Sequence, residues 1–306
     1  MSQRDVKNRI ASVKNIEKIT RAMEMVAAAR LRRAEQRIEH LRPYAGALRR
    51  MTRQAAEAAE NIPNLPILSE HESEQTVGLM LVTGDRGLAG AFNSQIVRAG
   101  ARAAVEHEDE GRGVTFYASG RRGVSSLIFR GRDPEGTYTG FTDRPAYADA
   151  RHIAEDLMAA YIDEKVDRVE IFYNGYISPL QQVVRRETLL PLQQASILED
   201  DDPEGDEEPS EETREPAHEH RALVEYEPDP EEILQRLVPD YVEISVYRAL
   251  LESTASEHGA RMTAMRSASE NAGEVIDDLT LEMNRARQAE ITQEIMEVVA
   301  GAEALT

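Results

Sequence analysis

A chain of 306 residues with 41% apolar side chains can bury a substantial core, whereas a mean hydropathy of −0.51 and 30% charged residues predict much exposed surface. The absence of cysteine excludes disulfides, thiolate metal sites and cysteine nucleophiles, and a net charge of −20 argues against nucleic acid as the main ligand. The sequence shows neither a signal peptide nor an 18-residue apolar window, so we expect a cytoplasmic chain without direct membrane insertion.

The first predicted element is a long N-terminal coiled-coil helix over residues 1–60. Apolar residues recur there at alternating steps of three and four, which keeps one stripe on one side of a helix. The stripe has two series separated by a small phase change: Val6, Ile10, Val13, Ile16, Ile19, Met23, Val26, and then Ala27, Leu31, Ala34, Ile38, Leu41, Ala45, Leu48. The segment is basic, with 14 Arg and Lys against 7 Asp and Glu, and Pro43 predicts a kink.

Residues 61–198 are predicted to form a Rossmann-like α/β domain. The short strands TVGLMLVTGD, GVTFYASG and VDRVEIFYNGYIS stand among two helices, predicted over 92–110 and 147–165. Strands that alternate with helices in this way are typical of a small sheet covered by helices.

A glycine turn, TGDRGLAGAFN, joins the first strand to the first of these helices, a place where many folds bind phosphate. Its Gly84, Gly87 and Gly90 follow a G-x-x-G-x-x-G spacing, which differs from the dinucleotide-binding G-x-G-x-x-G. No Lys-Ser or Lys-Thr completes a P-loop, and the second strand ends without an acidic residue for a ribose. With no G-x-S-x-G or H-E-x-x-H elsewhere, we predict no catalytic residue, no cofactor and no metal.

Residues 199–220, EDDDPEGDEEPSEETREPAHEH, are predicted to be an acidic disordered loop because Pro, Glu, Ser and Gly dominate them. His218 and His220 stand beside carboxylates and could chelate a metal weakly, but solvated disorder is the better interpretation. A connector over 221–239 follows the loop.

The last predicted element is a C-terminal coiled-coil helix over 240–306, with no proline after Pro239. Its apolar seam keeps steps of four and three without a miss: Leu251, Ala255, His258, Met262, Met265, Ser269, Ala272, Ile276, Leu279, Met283, Ala286. The phase then slips to Ile291, Ile295, Val298, Ala302 and Leu305. We expect this last stripe to extend beyond the end of the first helix, so that a surface other than the first helix must cover it.

The two long helices would measure about 85 and 100 Å at about 1.5 Å per residue, more than an ordinary domain can bury. Because their seams match, they are predicted to pair with each other. The predicted fold class is therefore α/β with long helices, in which an antiparallel coiled coil of the N- and C-terminal helices carries an inserted Rossmann-like domain.

Four stretches resemble the gamma subunit family of the F-type ATP synthase, and the match runs in order along the whole chain. They are IASVKNIEKITRAMEMVAAARLRRA (10–34), TGDRGLAGAFN (83–93), EYEPDP (225–230) and the run from ASEHGARM to GAEAL (255–305). The family's C-terminal signature is met by Ile291, Thr292, Glu294, Glu297, Gly301 and Ala302.

The resemblance implies a non-catalytic central rotor shaft. In this family the paired helices stand inside a ring of three alpha and three beta subunits, and the α/β domain, with the epsilon subunit, sits on the c-ring of the membrane sector. Proton flow turns ring and shaft, and the shaft drives the catalytic sites that make ATP. The expected location is therefore peripheral, at the cytoplasmic face of the cell membrane.

The resemblance also assigns partner contacts to individual residues. Coupling contacts of the family match Met23, Arg261, Arg287, Gln288, Thr292 and Glu294, and the part that rests on the c-ring matches Tyr226 and Glu227. Two features depart from the family: the acidic loop is longer than expected, and the thiol switch of chloroplast relatives is absent. The competing hypotheses are a coiled-coil adaptor without a rotary role and a nucleotide-dependent enzyme.

Overall fold

A computed structural model describes residues 3–58, 65–192 and 229–303 of the chain. Two long helices, α1 (Gln3–Ala58) and α5 (Pro230–Glu303), flank a sheet domain. The elements between them are a 3-10 helix (Pro66–Leu68), β1 (Thr76–Val82), α2 (Phe92–Asp109), β2 (Gly113–Ser119), α3 (Arg121–Phe129), β3 (Gly136–Tyr138), α4 (Tyr147–Ile162), β4 (Arg168–Ser178) and β5 (Gln181–Leu190). The acidic loop 199–220, Tyr226 and Glu227 lie outside the described residues.

The sheet has five strands in the order β3-β2-β1-β4-β5. The first four are parallel, and β5 pairs with β4 in the antiparallel sense at one edge. One apolar core lies between the sheet and α2 and α3, and a second lies between the sheet, α4 and α5. Helices on both faces of a mainly parallel sheet confirm the Rossmann-like α/β domain.

Besides the 3-10 helix, three elements of this domain escaped the sequence prediction, namely α3, β3 and β5. The first two are short, with nine and three residues, so they carry little periodic signal. The edge strand β5 reads QQVVRRETLL and is only partly buried along most of its length. An edge strand with one solvated face lacks the continuous apolar run that marks β1.

The long helices pair in the antiparallel sense, as predicted. Val6 and Ile10 pack against Leu279 at one level, and Leu31 packs against Ala255 at another. On α5 the predicted seam is confirmed: Leu251, Ala255, His258, Met265, Ala272 and Leu279 are buried.

On α1 the predicted phase change is wrong. Ile16, Ile19 and Val26 are 54%, 59% and 54% exposed, while Thr20 and Ala27 are buried in their place. Seven-residue steps from Val13 lead to Thr20 and Ala27, so one uninterrupted heptad register runs along the helix. The Thr20 hydroxyl is satisfied because it donates to the carbonyl of Glu17 at 3.0 Å. The helix also continues without interruption through Pro43.

The C-terminal helix begins at Pro230, ten residues before the predicted boundary at 240. Asp229 caps it: the Glu231 amide donates to the Asp229 carboxylate at 3.3 Å, and a proline suits the first helical position. Leu234 and Val238 are buried, so this first part belongs to the folded domain and not to a connector. Pro239 lies inside the helix and does not end it.

The far end of α5 extends beyond the described part of α1. Gln3 is the first described residue of α1, and neighbouring Val6 packs at the level of Leu279 and Met283. Ile291, Ile295 and Val298 are 47%, 58% and 72% exposed, as expected for a stripe without a partner in this chain. Leu305 and the side chain of Ala302 are outside the described residues. No described helix has the length and apolarity that a membrane span requires.

Candidate functional site

A cluster of buried charge lies where α5 crosses the carboxyl ends of the parallel strands. We call it the junction and define it by Gly84, Asp85, Gly87, Glu257 and Arg261. The first three follow β1 directly, and the last two lie one turn apart on α5. Doubly wound folds bind their ligands at the carboxyl edge of the sheet, so the junction lies where such a fold would have a ligand site.

The carboxylate of Asp85 lies at the start of α3. It accepts hydrogen bonds from the backbone amides of Arg121 at 3.1 Å and Gly140 at 2.8 Å, and from the hydroxyl of Thr142 at 3.0 Å. Burial alone would raise the pKa of Asp85, but these hydrogen bonds outweigh it and lower the pKa below its ordinary value. The chain's own carboxylate therefore occupies the amide donors that a ligand phosphate would use at this helix start.

A second carboxylate, that of Glu257, lies against Gly84. A Cβ atom at Gly84 would come within 2.7 Å of the Glu257 carboxyl carbon, so the close approach requires glycine. Glu257 is 2% exposed and forms an ion pair with Arg261 one turn further along α5. Burial raises the pKa of Glu257, and Arg261 opposes that rise.

Arg261 connects α5 to the glycine turn. Its guanidinium donates to Glu257 and, at 3.2 Å, to the backbone carbonyl of Gly87. The two carboxylates and the Arg261 guanidinium thus fill the space beside the glycines that a phosphate would need. The glycines serve the close packing of α5 on the sheet, which explains why their spacing differs from that of nucleotide-binding turns.

Further bonds attach both long helices to the loops around the junction. Arg30 of α1 pairs with Asp143, which also lies 3.6 Å from the guanidinium of Arg86. From α5, the hydroxyl of Thr254 donates to the carbonyl of Thr142 at 2.9 Å, and that of Ser256 donates to the carbonyl of Asn174 at 3.0 Å. The described chain therefore brings α1, α5, strand β4 and two loops of the sheet domain together at one level.

His258 stands beside the junction on the helix seam and is 1% exposed. Burial, aided by the positive charges of Arg261 and Arg30, lowers its pKa to about 4, although Asp143 opposes the change. A buried histidine that remains neutral at physiological pH is a packing residue, in agreement with its interpretation as part of the seam.

Acidification is expected to destabilise the free chain through His258. Above pH 6.5 the residue is neutral in both states; as pH falls towards 4, only the unfolded chain takes up the proton, so stability is lost over this window. The loss is roughly 3 kcal/mol. Urea unfolding at several pH values should show this slope in the parent and a much shallower one in His258→Gln. The exposed His152 provides the control, since His152→Gln should keep the slope. Identical slopes in parent and His258→Gln would contradict the assignment.

A basic cleft of about 470 Å³ adjoins the junction between α1 and α5. Its cationic side chains are Arg30, Arg33, Arg37 and Arg144, His40 also lines it, and Asp143 is its one acidic lining residue among the described residues. Arg33 and Arg144 are exposed. This cleft suits an acidic surface on a partner.

The structure separates the predicted contact residues into three groups. Met23 is half-buried on α1, next to Glu24, which pairs with Arg266 of α5 at 2.9 Å. Arg261 is only 7% exposed and is engaged within the chain, so it offers no free guanidinium to a partner. At the far end of α5 are the exposed residues Arg287, Gln288, Thr292 and Glu294, roughly 39 to 50 Å along the helix from Arg261.

Sequence reasoning missed Glu257 and the role of Gly84. The i,i+4 spacing of Glu257 and Arg261 indicates an ion pair on a helix, but such pairs are common on solvated helices, and the spacing does not indicate whether the pair is buried. In residues 3–58, 65–192 and 229–303 no group of three acidic or histidine side chains could hold a metal ion, and His218 and His220 lie outside these ranges.

Comparisons with known proteins agree on one family. A family model described as ATP synthase matches residues 2–305. An ATP synthase gamma chain of Rubrobacter xylanophilus is 42% identical and one of Streptomyces avermitilis is 41% identical; the alignments cover 99% and 98% of this chain and 98% and 94% of theirs.

Solved structures show the same fold. A central stalk and c-ring structure of the Tetrahymena thermophila mitochondrial ATP synthase contains a chain with a TM-score of 0.58 and 25% identity, over 82% of this chain and 99% of that one. A chain of the Euglena gracilis mitochondrial ATP synthase has a TM-score of 0.65 and 17% identity, over 99% and 94%.

Proposed function

The chain belongs to the ATP synthase gamma chain family, and on that premise we propose that it is the central rotor shaft of a proton-translocating F-type ATP synthase. In this role it couples proton flow through the membrane sector to ATP synthesis at catalytic sites on other subunits. The observation that carries the proposal is the free end of α5, whose exposed apolar side chains no described part of the chain covers.

The free end is built to be enclosed by a partner. Residues 287–303 form about 25 Å of single helix, and a lone helix of this length is marginal in water. Its exposed apolar residues are Ile291, Ile295, Met296, Val298 and Val299. An apolar sleeve can cover such a stripe without directional bonds, and it therefore leaves the helix free to turn. We assign this sleeve to the ring of three alpha and three beta subunits.

The chain itself is proposed to be non-catalytic. The edge of the sheet where related folds bind ligands is filled by Asp85 and Glu257, each engaged in hydrogen bonds within the chain. ATP synthesis is then catalysed by the partner subunits, and the shaft acts on them by presenting a different surface to each as it turns.

Contacts with the partners follow from charge and position. The basic cleft around Arg33 and Arg37 suits acidic surfaces of the alpha and beta subunits. Met23, Arg287, Gln288, Thr292 and Glu294 are proposed to contact the same ring. Tyr226 and Glu227 are proposed to rest on the c-ring, near the epsilon subunit, so that the chain is peripheral at the cytoplasmic face of the membrane. Arg261 is reassigned to the junction.

Observation of rotation tests the function directly. Since the chain has no cysteine, Asp109→Cys at the exposed end of α2 gives one attachment point for a bead. Assembled with alpha and beta subunits fixed to a surface, the bead should turn in one direction when ATP is supplied and should stop when ATP is removed. A complex that hydrolyses ATP at full rate around a motionless shaft would favour the adaptor without a rotary role.

A further inference from the structure

We propose that the junction is the torsional joint of the shaft, where the ion pair of Glu257 and Arg261, seated on the glycine turn, transmits torque between the coiled coil and the α/β domain. The proposal rests on the rotary function. It adds a role for two charged residues that are buried within this chain, and it gives the glycine turn a purpose other than ligand binding.

The position of the junction along α5 supports this role. Below it, α5 packs on the sheet domain through Val238, Val242, Val246 and Leu250. Directional bonds also join this part of α5 to the domain, including Tyr147 to Glu243 at 2.6 Å and Arg248 to Glu187 at 2.7 Å. Just above it, the hydroxyl of Thr263 donates to the carbonyl of Pro179 at 3.4 Å, and the described helix then continues with α1 as its main neighbour. The junction is therefore the level at which the helix leaves the domain.

The bonds of the junction are directional and buried. One guanidinium, that of Arg261, donates both to its own helix at Glu257 and to the loop at Gly87. The two side chains are 7% and 2% exposed, so water cannot replace a bond that stretches. Rotation of α5 about its axis would separate Arg261 from the loop carbonyl and move the Glu257 carboxylate away from Gly84.

The first helix is held at the same level. Arg30 of α1 pairs with Asp143, and Asp143 lies near Arg86, which belongs to the glycine turn between Gly84 and Gly87. Through Asp143, which lies in the loop after β3, α1 is thus linked to the same glycine loop as α5, and this loop continues directly from the central strand β1. Torque applied to either helix reaches the sheet through this loop.

Two different substitutions weaken the joint by independent means. Glu257→Gln keeps the shape of the side chain and removes its charge. Gly84→Ala keeps the charge and pushes the Glu257 carboxylate away, because the new methyl group would lie 2.7 Å from it. Arg266→Gln is the matched control: it breaks the ion pair of α5 with Glu24, which lies outside the junction on a half-exposed surface.

The measurement is the angular variance of a bead on Asp109→Cys while the assembled complex waits for ATP. Glu257→Gln removes the ion pair that holds the Arg261 guanidinium at the Gly87 carbonyl, so it should increase the variance. Gly84→Ala should increase it as well, whereas Arg266→Gln should leave it unchanged. ATP hydrolysis should continue in all three, and proton pumping per ATP hydrolysed should fall in the first two.

Unchanged variance and pumping in Glu257→Gln would overturn the proposal, even if the free variant melts at a lower temperature, since that result would mean a purely structural role. Should Gly84→Ala fail to fold, the isosteric Glu257→Gln still decides the question. A parent complex that does not rotate would instead refute the proposed function, so the two failures are distinguishable.

Discussion

Gly120→Ala is expected to destabilise the sheet domain by roughly 3 to 5 kcal/mol. Gly120 lies between β2 and α3 with φ 84° and ψ 134°, a conformation that side chains rarely adopt. A Cβ atom there would also come within 2.6 Å of the Thr83 carbonyl carbon and 2.8 Å of the Gly84 carbonyl carbon. Both obstacles are backbone atoms of the segment that carries the junction, so neither can move aside.

Gly131→Ala separates the two parts of this cost. Gly131 also has a positive φ, of 70°, but no heavy atom lies within 4 Å of the position of its Cβ. Gly131→Ala should therefore lower the free energy of unfolding only by the cost of the left-handed backbone conformation, about 1 to 2 kcal/mol. Urea unfolding of both variants, followed by far-ultraviolet circular dichroism, measures the difference. Equal losses in the two variants would mean that the close approach at Gly120 contributes nothing.

The long helices could be predicted from the sequence because heptad spacing is a local property. The C-terminal seam from Leu251 to Ala286 needed only counting, and in the structure its residues are buried or partly buried, as predicted. On α1 the prediction placed the most apolar side chains, Ile16 and Ile19, on the seam, and this gave the wrong heptad register. The correct register passes through Thr20, and it is fixed by the side of α1 that faces α5, which depends on the whole pair.

The junction could not be predicted because it depends on contacts between distant parts of the chain. Gly84 and Glu257 are both visible in the sequence, but nothing local indicates that one approaches the other. The glycine spacing predicted only that the turn differs from known nucleotide sites. That α5 fills the place of a ligand follows from the packing of the helix across the carboxyl edge of the sheet.

The free end of α5 leads to the last prediction. Val298 is 72% exposed, so Val298→Asp should change the stability of the free chain by no more than about 0.5 kcal/mol. In the assembled complex the same carboxylate would enter an apolar sleeve without a partner, which costs about 3 kcal/mol and weakens assembly roughly 100-fold. Titration of labelled chain into alpha and beta subunits measures the affinity.

Gln293→Asp is the matched control for this prediction. It adds the same charge to the same exposed helix, but about 140° around the axis from Val298. Its affinity should stay near that of the parent, because the added charge lies away from the apolar stripe of Ile291, Ile295 and Val298. Amide hydrogen exchange gives a second measure, since residues 287–299 should be protected in the complex and exchange quickly in the free chain. Equal affinity of Val298→Asp and the parent, with equal exchange in both states, would show that no apolar sleeve encloses the helix end.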